Sequence, residues 1–347
     1  MASQRIALCL GQVPFVRGGA EILTESLATQ LRRRGHQVEV IAIPFRWYPP
    51  PEIIKGYLAW RLVDLHESNG VPIDRVIALK FPGFVTEHPH KVTWLIQQYR
   101  QGYDLFGSEH SDLTTSEQDI EIRRTIQRMD TQTIGESVAT FTISDNVGQR
   151  LQRYNGLPSE TLYPPPSQEG LYRHEAYGEY VLSLCRLDRL KRVDRLIEAV
   201  ARCKTARCVI AGSGPERENL ERLAAKCGVD NRVTFAGFVS DQQAIELYAN
   251  CRALYYAPLD EDYGLATVEA MKSRKPVLAT DDSGGVLEFV QHDVTGCIAP
   301  VSDIDRTAQQ IDAVLRDDTL AARLGNAGCD LVADITWERT CERLLEA

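Results

Sequence analysis

Two glutamates, Glu261 and Glu269, stand with seven residues between them in the stretch DEDYGLATVE (260–269). The stretch directly follows the apolar run RALYYAPL (252–259), which is typical of a buried strand. Carboxylates at the end of such a strand can accept hydrogen bonds from the hydroxyl groups of a sugar or a ribose. We therefore interpret Glu261 and Glu269 as a pair that binds a polyhydroxylated ligand.

A helix is predicted to begin directly after Gly264, a residue that allows an unusual backbone turn. The backbone amides of Tyr263, Gly264 and Leu265 would lie at the positive end of this helix, which suits a diphosphate. Asp262 belongs to the same turn. The alternative is that the acids only favour a helix N-terminus and that Glu269 is a solvated surface residue. Gly264 and the apolar strand before it favour the binding site.

The block CRLDRLKRVDR (185–195) supplies positive charge after another apolar run. Arg186 directly follows the predicted strand, and Lys191 comes five residues later, before the next helix. Arg binds phosphate bidentately and Lys as a point charge, so we expect both to neutralise a diphosphate. A solvated basic helix start is the alternative, and it explains Arg186 poorly. The same alternative accounts well for the other arginines of the block, which are Arg189, Arg192 and Arg195.

Asp260 and Asp262 also form an Asp-x-Asp pair, and paired carboxylates suit Mg²⁺ or Mn²⁺. Such short patterns are frequent by chance, and the longer pattern of the two glutamates already accounts for this stretch. We therefore expect no obligatory metal and no cofactor.

Alternating strands and helices position these residues. The first segment predicts strands at 5–11, 36–43, 75–79, 91–96 and 138–144, and helices at 20–34, 55–67 and 116–133. The second segment predicts strands at 180–185, 207–211, 232–236, 253–257 and 276–280, and helices at 193–202, 216–227, 241–250, 265–273 and from 303 onwards. This alternation predicts an α/β fold with two doubly wound parallel-sheet domains. Such sheets bind ligands at the carboxyl ends of their strands, here in a cleft between the domains.

Glycine-containing loops and a proline run complete the organisation. Gly18 and Gly19 open the first helix, where a glycine pair lets the backbone approach a ligand, although a tight structural turn is at least as typical of such a loop. Neither this loop nor GSGPER (212–217) has the Gly-x-Gly-x-x-Gly spacing of a dinucleotide site. The run LYPPPS (162–167) predicts a stiff linker. We assign 1–165 and 166–335 to the two domains, with a C-terminal helix (336–347) that packs back on the first.

Composition excludes several classes of protein. The 347 residues carry a formal net charge of −9, which argues against nucleic acid as a partner. The nine cysteines include no Cys-x-x-Cys pair, which indicates buried thiols rather than a disulfide framework. Those in apolar, strand-like stretches are Cys9, Cys185, Cys208, Cys251 and Cys297. Neither a signal peptide nor an apolar run of about 20 residues is found, so we expect a soluble cytoplasmic protein.

In this order the motifs resemble the retaining glycosyltransferases of family 4, which have the GT-B fold of two Rossmann-like domains facing a central cleft. The resemblance covers nearly the whole chain. It includes RGGAE (17–21), TISDNVGQRLQRYNGLP (142–158), CRLDRLKRVDRLIEAV (185–200), IAGSGPE (210–216), RVTFAGFV (232–239) and EDYGLATVEAMKSRKPVLATDDSGGVLEFV (261–290).

The resemblance implies roles for the residues of the second domain. Glu261 would hydrogen-bond the transferred sugar, and Glu269 would bind the ribose hydroxyls of the donor. The amides of residues 263–265 would hold sugar and phosphate. Arg186 and Lys191 would stabilise the departing diphosphate, an electrostatic effect that usually dominates such chemistry.

The resemblance also implies that Gly18 and Gly19 border the donor phosphates and the acceptor, and that the backbone near Val239 meets the base. The family transfers sugars with retention, by attack on the same face, and without an obligatory metal.

The chain departs from the family at two places. Where many relatives carry a His facing the sugar, TWLIQQYR (93–100) offers Gln97 and Gln98, and a Gln cannot take a proton at neutral pH. The histidines nearby in sequence, expected at the surface, are His88, His90 and His110. Ser273 and Arg274 stand where relatives usually have Gly, which predicts either a strained turn at Arg274 or a different end of the helix.

The leading hypothesis is the transfer of a hexose, first of all glucose from UDP-glucose, onto a saccharide or lipid-linked saccharide in polysaccharide or glycolipid assembly. A nucleotide-sugar hydrolase or epimerase and a catalytically silent sensor are alternatives on the same fold. Basic residues 32–34 and the aromatic stretch 45–48 predict at most weak, reversible contact with the inner face of the membrane.

Overall fold

The computed structural model describes residues 3–347 and divides into two compact units. The first unit consists of the chain up to Ser167 together with Trp337–Ala347, and the second unit is Gln168–Thr336. Each unit contains its own six-stranded sheet, and all neighbouring strands in these two sheets run parallel. The prediction of an α/β fold with two parallel sheets is therefore confirmed.

The elements are named here in chain order. The strands are β1 (Arg5–Gln12), β2 (Gln37–Pro44), β3 (Glu67–Ser68), β4 (Val71–Pro72), β5 (Arg75–Lys80), β6 (Lys91–Gln97), β7 (Ala139–Thr142), β8 (Glu160–Thr161), β9 (Tyr180–Leu184), β10 (Arg207–Ala211), β11 (Val233–Gly237), β12 (Ala253–Tyr255), β13 (Val277–Thr280) and β14 (Gly296–Ala299). The helices are α1 (Gly19–Arg33), α2 (Pro51–Arg61), α3 (Glu117–Gly135), α4 (Asp145–Asn155), α5 (Val193–Arg202), α6 (Arg217–Lys226), α7 (Asp241–Asn250), α8 (Leu265–Lys272), α9 (Ile304–Arg316), α10 (Asp318–Leu331) and α11 (Trp337–Glu346). Within residues 3–347, no helix is both long enough and apolar enough to cross a membrane.

The sheet of the first unit has the strand order β2-β1-β5-β6-β7-β8. Residues 6–10 of β1 are buried without a break, as expected for a parallel strand that is covered on both faces. The strand order changes direction between β1 and β5, so the loops that follow these two strands meet at a topological switch point. α1 covers this part of the core with Leu23, Leu27 and Leu31, which repeat every four residues along one face.

The sheet of the second unit has the order β11-β10-β9-β12-β13-β14, with its switch point between β9 and β12. Its core includes Leu196, Ile197 and Val200 of α5, packed with Ile311 and Val314 of α9. The spacing of the α5 residues gives the helix one apolar face, which fixes its rotation on the sheet.

The proline run before the second unit is packed, not solvated: Pro164, Pro165 and Pro166 are buried. The indole nitrogen of Trp94 donates to the carbonyl oxygen of Leu162 at 2.9 Å, and that of Trp337 donates to the carbonyl oxygen of Pro166 at 3.0 Å. These two bonds attach both ends of the run to the first unit, and the second of them also joins the start of α11 to it.

Some predicted elements are wrong. The helix predicted at 55–67 is α2, which begins at Pro51 because proline suits the first turn of a helix, and ends at Arg61. The residues after it form the β3–β4 hairpin, whose Asn69–Gly70 turn has φ angles of 55° and 74°. Asn-Gly is the strongest short hairpin signal, so this hairpin could have been predicted.

Further corrections concern single residues. β12 ends at Tyr255, two residues earlier than predicted, and β14 was not predicted. Two of the cysteines expected in strands lie outside them, since Cys185 follows β9 and Cys251 follows α7. His88 is buried, not at the surface, and its Nε2 lies 3.1 Å from the carbonyl oxygen of Ile73. Arg274 has a φ of 55°, so of the two alternatives the structure shows the strained turn, and α8 ends two residues before it at Lys272.

Candidate functional site

The residues predicted to bind a ligand in the second unit follow the carboxyl ends of β9 and β12. These strands are neighbours, and β10 and β11 lie on one side of them while β13 and β14 lie on the other. Such a switch point leaves a crevice outside the strand ends, where open α/β sheets bind ligands. The fold therefore brings the block that contains Lys191 and the stretch that contains Glu261 to the same place.

Lys191 and Glu261, for which the family resemblance implies separate roles, contact each other. Lys191 ends a 3-10 turn (Arg189–Lys191), and its amide donates to the carboxylate of Asp188 at 3.2 Å. Its Nζ lies 2.5 Å from Oε2 of Glu261 and 3.0 Å from the hydroxyl oxygen of Tyr256. Burial lowers the pKa of Lys191, but Tyr256 and Glu261 outweigh burial and hold this pKa well above its ordinary value. The site thus holds a protonated lysine against a carboxyl group.

The segment that follows β13 fixes the backbone around Glu261. The amide of Glu261 donates to the carbonyl oxygen of Ser283 at 3.3 Å, and the amide of Gly285 donates to the carbonyl oxygen of Glu261 at 2.7 Å. Gly284 has a φ of 59°, and a Cβ atom on it would lie 2.6 Å from the carbonyl oxygen of Glu261. A Cβ on Gly285 would lie 2.5 Å from the carbonyl oxygen of Asp262. The glycine pair is therefore required for this close approach of two loops.

Arg192 is not the solvated residue that the sequence suggested, because its side chain is only 13% exposed. Its guanidinium donates to both carboxylate oxygens of Asp282, each at 2.7 Å. It also donates to the carbonyl oxygens of Ala257 at 2.9 Å and Pro258 at 2.7 Å. This interpretation was wrong because sequence spacing does not show which carbonyl groups a nearby strand end presents.

The other arginines of the block differ among themselves. Arg186 is exposed directly after β9, and its side chain has no hydrogen-bond or ion-pair partner in the described part of the chain. Arg189 is 80% exposed, as expected for a solvated residue. Arg195 contradicts that expectation, since it donates to the carbonyl oxygen of Val301 at 2.5 Å. Arg186 is therefore the arginine of this block that is available to an anion.

α8 begins at Leu265, as predicted, with Gly264 as its N-cap. The φ of Gly264 is 85°, and a Cβ atom on it would lie 2.7 Å from Cγ2 of Val286. The amides of Gly264 and Leu265 donate no hydrogen bond within residues 3–347. Tyr263 is buried, with its ring 5.5 Å from that of Phe289. The start of α8 thus offers amide donors at the positive end of the helix dipole.

Glu269 lies in α8 and is not a solvated surface residue. Its Oε1 accepts a hydrogen bond from the hydroxyl group of Tyr172 at 3.0 Å, and its Oε2 accepts one from Tyr248 at 2.8 Å. Burial raises the pKa of Glu269 to about 7, although both hydroxyl groups act to lower it. No sequence motif marks the two tyrosines, which lie 97 and 21 residues from Glu269.

Val239, predicted to border the base, is half-buried and follows β11. β10 separates β11 from β9, so Val239 lies at the same edge of the sheet but about 10 Å along it from the end of β9. The structure therefore brings Lys191, Glu261 and the start of α8 together, and it leaves Val239 at the margin.

A second cluster lies at the switch point of the first unit. Gly18 is the N-cap of α1, and its amide donates to Oε2 of Glu21 at 2.9 Å. Oε1 of Glu21 lies 2.9 Å from Nζ of Lys80, at the end of β5. Burial raises the pKa of Glu21, but Lys80 and the Gly18 amide outweigh burial and lower it. A glutamate three residues after the N-cap is one half of a capping box, which Gly18 cannot complete because it has no side chain. This half of the signal could have identified the cluster at the start of α1, which includes Gly19.

The two glutamines that stand in place of a histidine have different surroundings. Gln97 is half-buried, whereas Gln98 is buried and donates to Oδ1 of Asn155 at 2.9 Å. Next to Gln98 lies the buried Asp130, whose carboxyl group accepts hydrogen bonds from the hydroxyl groups of Tyr57 and Tyr103. Burial raises the pKa of Asp130 to about 7. Gln98 therefore belongs to an internal network of the first unit, whereas Gln97 lies at the end of β6, where it pairs with Lys80 of β5 in the sheet.

The aromatic stretch 45–48 is packed locally for most of its length. The ring of Phe45 meets that of Phe81 edge-on at 5.2 Å, and the indole nitrogen of Trp47 donates to Asp112 at 2.9 Å. Tyr48 remains 60% exposed. Phe45 and Trp47 are thus half-buried, and Tyr48 is the exposed aromatic residue of the stretch.

Comparison with known proteins identifies what the chain is similar to. Residues 173–330 match the family model described as glycosyl transferases group 1. An uncharacterized glycosyltransferase of Methanocaldococcus jannaschii is 25% identical over 94% of this chain and 92% of that protein.

Two further similar proteins are described together with a nucleotide sugar or its components. A GDP-mannose-dependent alpha-(1-6)-phosphatidylinositol monomannoside mannosyltransferase of Mycobacterium tuberculosis is 32% identical over 55% of this chain and 53% of that protein. The match thus spans about half the length of that relative. The solved structure of HepE from Anabaena in complex with UDP and glucose superposes with a TM-score of 0.71, at 19% identity, over 99% of both chains. At this identity the likeness is one of fold.

Proposed function

We propose that the chain is a retaining hexosyltransferase of the glycosyl transferases of group 1, family GT4; the family match over residues 173–330 and the GT-B-like fold support this proposal. A member of this family transfers a sugar from a nucleotide sugar. The proposed donor is a UDP-sugar, with glucose as the first candidate. The proposed acceptor is a saccharide or lipid-linked saccharide used in polysaccharide or glycolipid assembly.

The observation that carries the proposal is the contact of Lys191 with Glu261 beside the start of α8. A carboxylate, a protonated lysine and the amides of Gly264 and Leu265 converge where open sheets bind ligands. Sugar hydroxyl groups need acceptors and a diphosphate needs donors and positive charge, and these groups supply both. Glu261 is assigned to the transferred sugar, and Lys191 to the diphosphate.

In the proposed reaction, the bond between the anomeric carbon and the phosphate oxygen breaks, and an acceptor oxygen forms a new bond to that carbon on the same face. The acceptor proton passes to the departing phosphate oxygen. Negative charge builds up on the diphosphate as it leaves, so Lys191, Arg186 and the amides of α8 stabilise the transition state more than the ground state. Because protein cations supply this charge, we propose that no divalent metal is required.

Gly18 and Gly19 in the first unit are assigned to the donor phosphates and the acceptor, and Val239 in the second unit is assigned to the base. Glu269 is assigned to the ribose, and Asp262 and Tyr263 to the turn that carries the amides. The mannosyltransferase relative makes GDP-mannose the main rival donor, and the UDP and glucose in the HepE structure favour UDP-glucose.

Calorimetric titration with UDP-glucose, UDP-N-acetylglucosamine, GDP-mannose and ADP-glucose tests the donor, with and without EDTA. One tight, EDTA-insensitive ligand is expected, and Arg186→Ala should weaken it by about 1.5 kcal/mol, the value for a hydrogen bond to a charged group. Arg222→Ala, an exposed arginine on α6, is the matched control and should bind as wild type does. If none of the four ligands binds, the proposed donor class is wrong.

Product analysis with and without a panel of saccharide acceptors separates transfer from the alternatives. Transfer releases the nucleotide only together with a glycosylated acceptor. A hydrolase releases free sugar without acceptor, an epimerase leaves the nucleotide attached to an altered sugar, and a sensor binds without releasing anything.

A further inference from the structure

Two tyrosine hydroxyl groups hold the carboxylate of Glu269, and they differ in their surroundings. Tyr248, on α7, is completely buried, and its hydroxyl group lies 2.8 Å from Oε2. Tyr172 lies in the segment between the proline run and β9, is partly exposed, and places its hydroxyl group 3.0 Å from Oε1. Each carboxylate oxygen accepts one phenolic hydrogen and retains a second lone pair for another donor.

The segment that carries Tyr172 is attached to the second unit by its own hydrogen bonds. The amides of Glu175 and Ala176 donate to the carbonyl oxygen of Ala249 at 3.0 and 3.2 Å. The hydroxyl group of Tyr177 donates to the carbonyl oxygen of Arg274 at 3.1 Å. These bonds fix the segment independently of Glu269, so the loss of the Tyr172 hydroxyl group leaves the segment in place.

The groups that act on Glu269 come from two elements besides its own helix. α7 contributes Tyr248 and the carboxylate of Asp241, and the segment before β9 contributes Tyr172. Burial and, to a smaller extent, Asp241 raise the pKa of Glu269 and the two hydroxyl groups lower it, and the result is a pKa of about 7. The balance between the charged and the neutral carboxyl group therefore depends on the phenolic hydrogen bonds.

We propose that Tyr172 is a positioning residue for donor binding: its hydroxyl group keeps Glu269 ionised and oriented so that the remaining lone pairs accept the hydroxyl groups of the donor ribose. The proposal rests on the proposed function, which gives Glu269 a nucleotide to bind. Only the carboxylate form accepts from both ribose hydroxyl groups, because a protonated carboxyl group uses one oxygen as a donor. Donor affinity then rises with pH as Glu269 ionises.

The test is Tyr172→Phe, which removes one oxygen atom and keeps the ring. Affinity for UDP-glucose and GDP-mannose is measured by calorimetry from pH 6 to 9; these diphosphate diesters carry no phosphate group that titrates in this range, unlike free UDP. The midpoint of the pH profile should rise by about one pH unit, the size expected for one lost hydrogen bond to a charged group. From the wild-type midpoint near pH 7, this shift lowers the affinity about five-fold at pH 7 and leaves it nearly unchanged at pH 9.

The matched control is Tyr177→Phe, in the same segment, where the lost hydroxyl group bonded only to a backbone carbonyl. Its pH profile should coincide with that of wild type. In parallel, ¹³C NMR titration of the Glu269 carboxyl group in the ligand-free protein should show the same upward shift in Tyr172→Phe.

Three outcomes overturn the proposal. An equal loss of affinity at pH 7 and pH 9 would mean that the hydroxyl group of Tyr172 does not control the ionisation of Glu269. Tighter binding by Tyr172→Phe would mean that its hydroxyl group competes with the ribose. If the pKa of Glu269 shifts in the NMR titration but the pH profile of donor affinity does not, the ionisation of Glu269 does not affect nucleotide binding. Failure of wild type to bind any nucleotide sugar is a different result, since it refutes the proposed function itself.

Discussion

Both terminal nitrogens of the Arg192 guanidinium lie 2.7 Å from a carboxylate oxygen of Asp282. The same guanidinium donates to the carbonyl oxygens of Ala257 and Pro258, which follow β12. The backbone carbonyl of Asp282 in turn accepts the amide of Asp260 at 2.9 Å. Arg192 therefore joins the segment after β12 to the segment after β13, and these two segments hold the backbone around the proposed donor site.

Replacement of Arg192 by Ala should lower the free energy of unfolding of the second unit by about 3 kcal/mol, because it leaves the Asp282 carboxylate partly buried without its partner. All four tryptophans lie in the first unit, so their fluorescence reports that unit alone. Urea unfolding followed by far-ultraviolet circular dichroism should therefore show the loss, with tryptophan fluorescence unchanged. The control Arg189→Ala removes an 80% exposed side chain and should change stability by less than about 0.5 kcal/mol. Equal effects of the two changes would contradict the role of Arg192.

The ion pair of Lys191 and Glu261 should be necessary for turnover. Lys191→Met removes the charge that we propose stabilises the departing diphosphate, and we expect the rate of sugar transfer to fall by at least about 100-fold, as when one preorganised electrostatic donor is lost. Steady-state kinetics with saturating donor measures this loss in kcat. Lys204→Met changes an exposed lysine of the same unit and should leave kcat as it is. If Lys191→Met retains the turnover of wild type, Lys191 is not required for the reaction.

Gly264 should not tolerate a side chain. An alanine there would have to adopt a φ of 85° and to place its Cβ atom 2.7 Å from Val286, so we expect a loss of stability of about 2–4 kcal/mol together with weaker donor binding. Gly228→Ala is the control, since its φ is 68° but nothing lies within 4 Å of the added atom. That change should cost only about 1–2 kcal/mol and leave donor binding intact. Circular dichroism measures the stability of both variants and calorimetry measures their donor binding. The difference between the variants gives the effect of the close contact with Val286, because both place alanine at a positive φ.

Asp130 should make the stability of the first unit depend on pH. Burial raises its pKa from 3.8 to about 7 in the folded protein, so the folded state keeps a proton that the unfolded state releases. The stabilising contribution of the neutral carboxyl group is thus complete below about pH 4 and is lost as the pH rises through 7. Asp130→Asn keeps this side chain neutral at every pH.

Relative to Asp130→Asn, wild type should therefore become less stable between pH 4.5 and 7.5, by at most about 4 kcal/mol for a shift of about three pH units. Urea unfolding followed by tryptophan fluorescence measures the difference in the first unit. Glu121→Gln, an exposed change on the same helix, should show no such trend. A difference between Asp130→Asn and wild type that stays constant with pH would contradict the buried neutral carboxyl group.

The sequence was informative wherever periodicity and local signals decide the structure. The alternation of strands and helices predicted both sheets, and α5, α7 and β10 have the predicted bounds. Gly264 was recognised as the start of α8 because glycine before a helix and after an apolar run is a local signal. The two clusters around Lys191 and Glu261 were found for the same reason.

The partners of several site residues could not be predicted from the sequence, because they lie in distant segments of the chain. The hydroxyl group of Tyr172 meets Glu269 across 97 residues of sequence, and Arg192 meets Asp282 across 90. No local pattern distinguishes such a tyrosine or arginine from a solvated one. Gln98 likewise looked equivalent to Gln97 until the packing of Asn155 against it was known.

The indole of Trp337 reaches Pro166 across 171 residues, and all of the second unit lies between them in the chain. The second unit is therefore an insertion within the first. As the polypeptide emerges from a ribosome, the continuous stretch 168–336 is available to fold while the first unit still lacks residues 337–347. Translation order thus favours early formation of the second unit, and the first unit is completed by α11 afterwards.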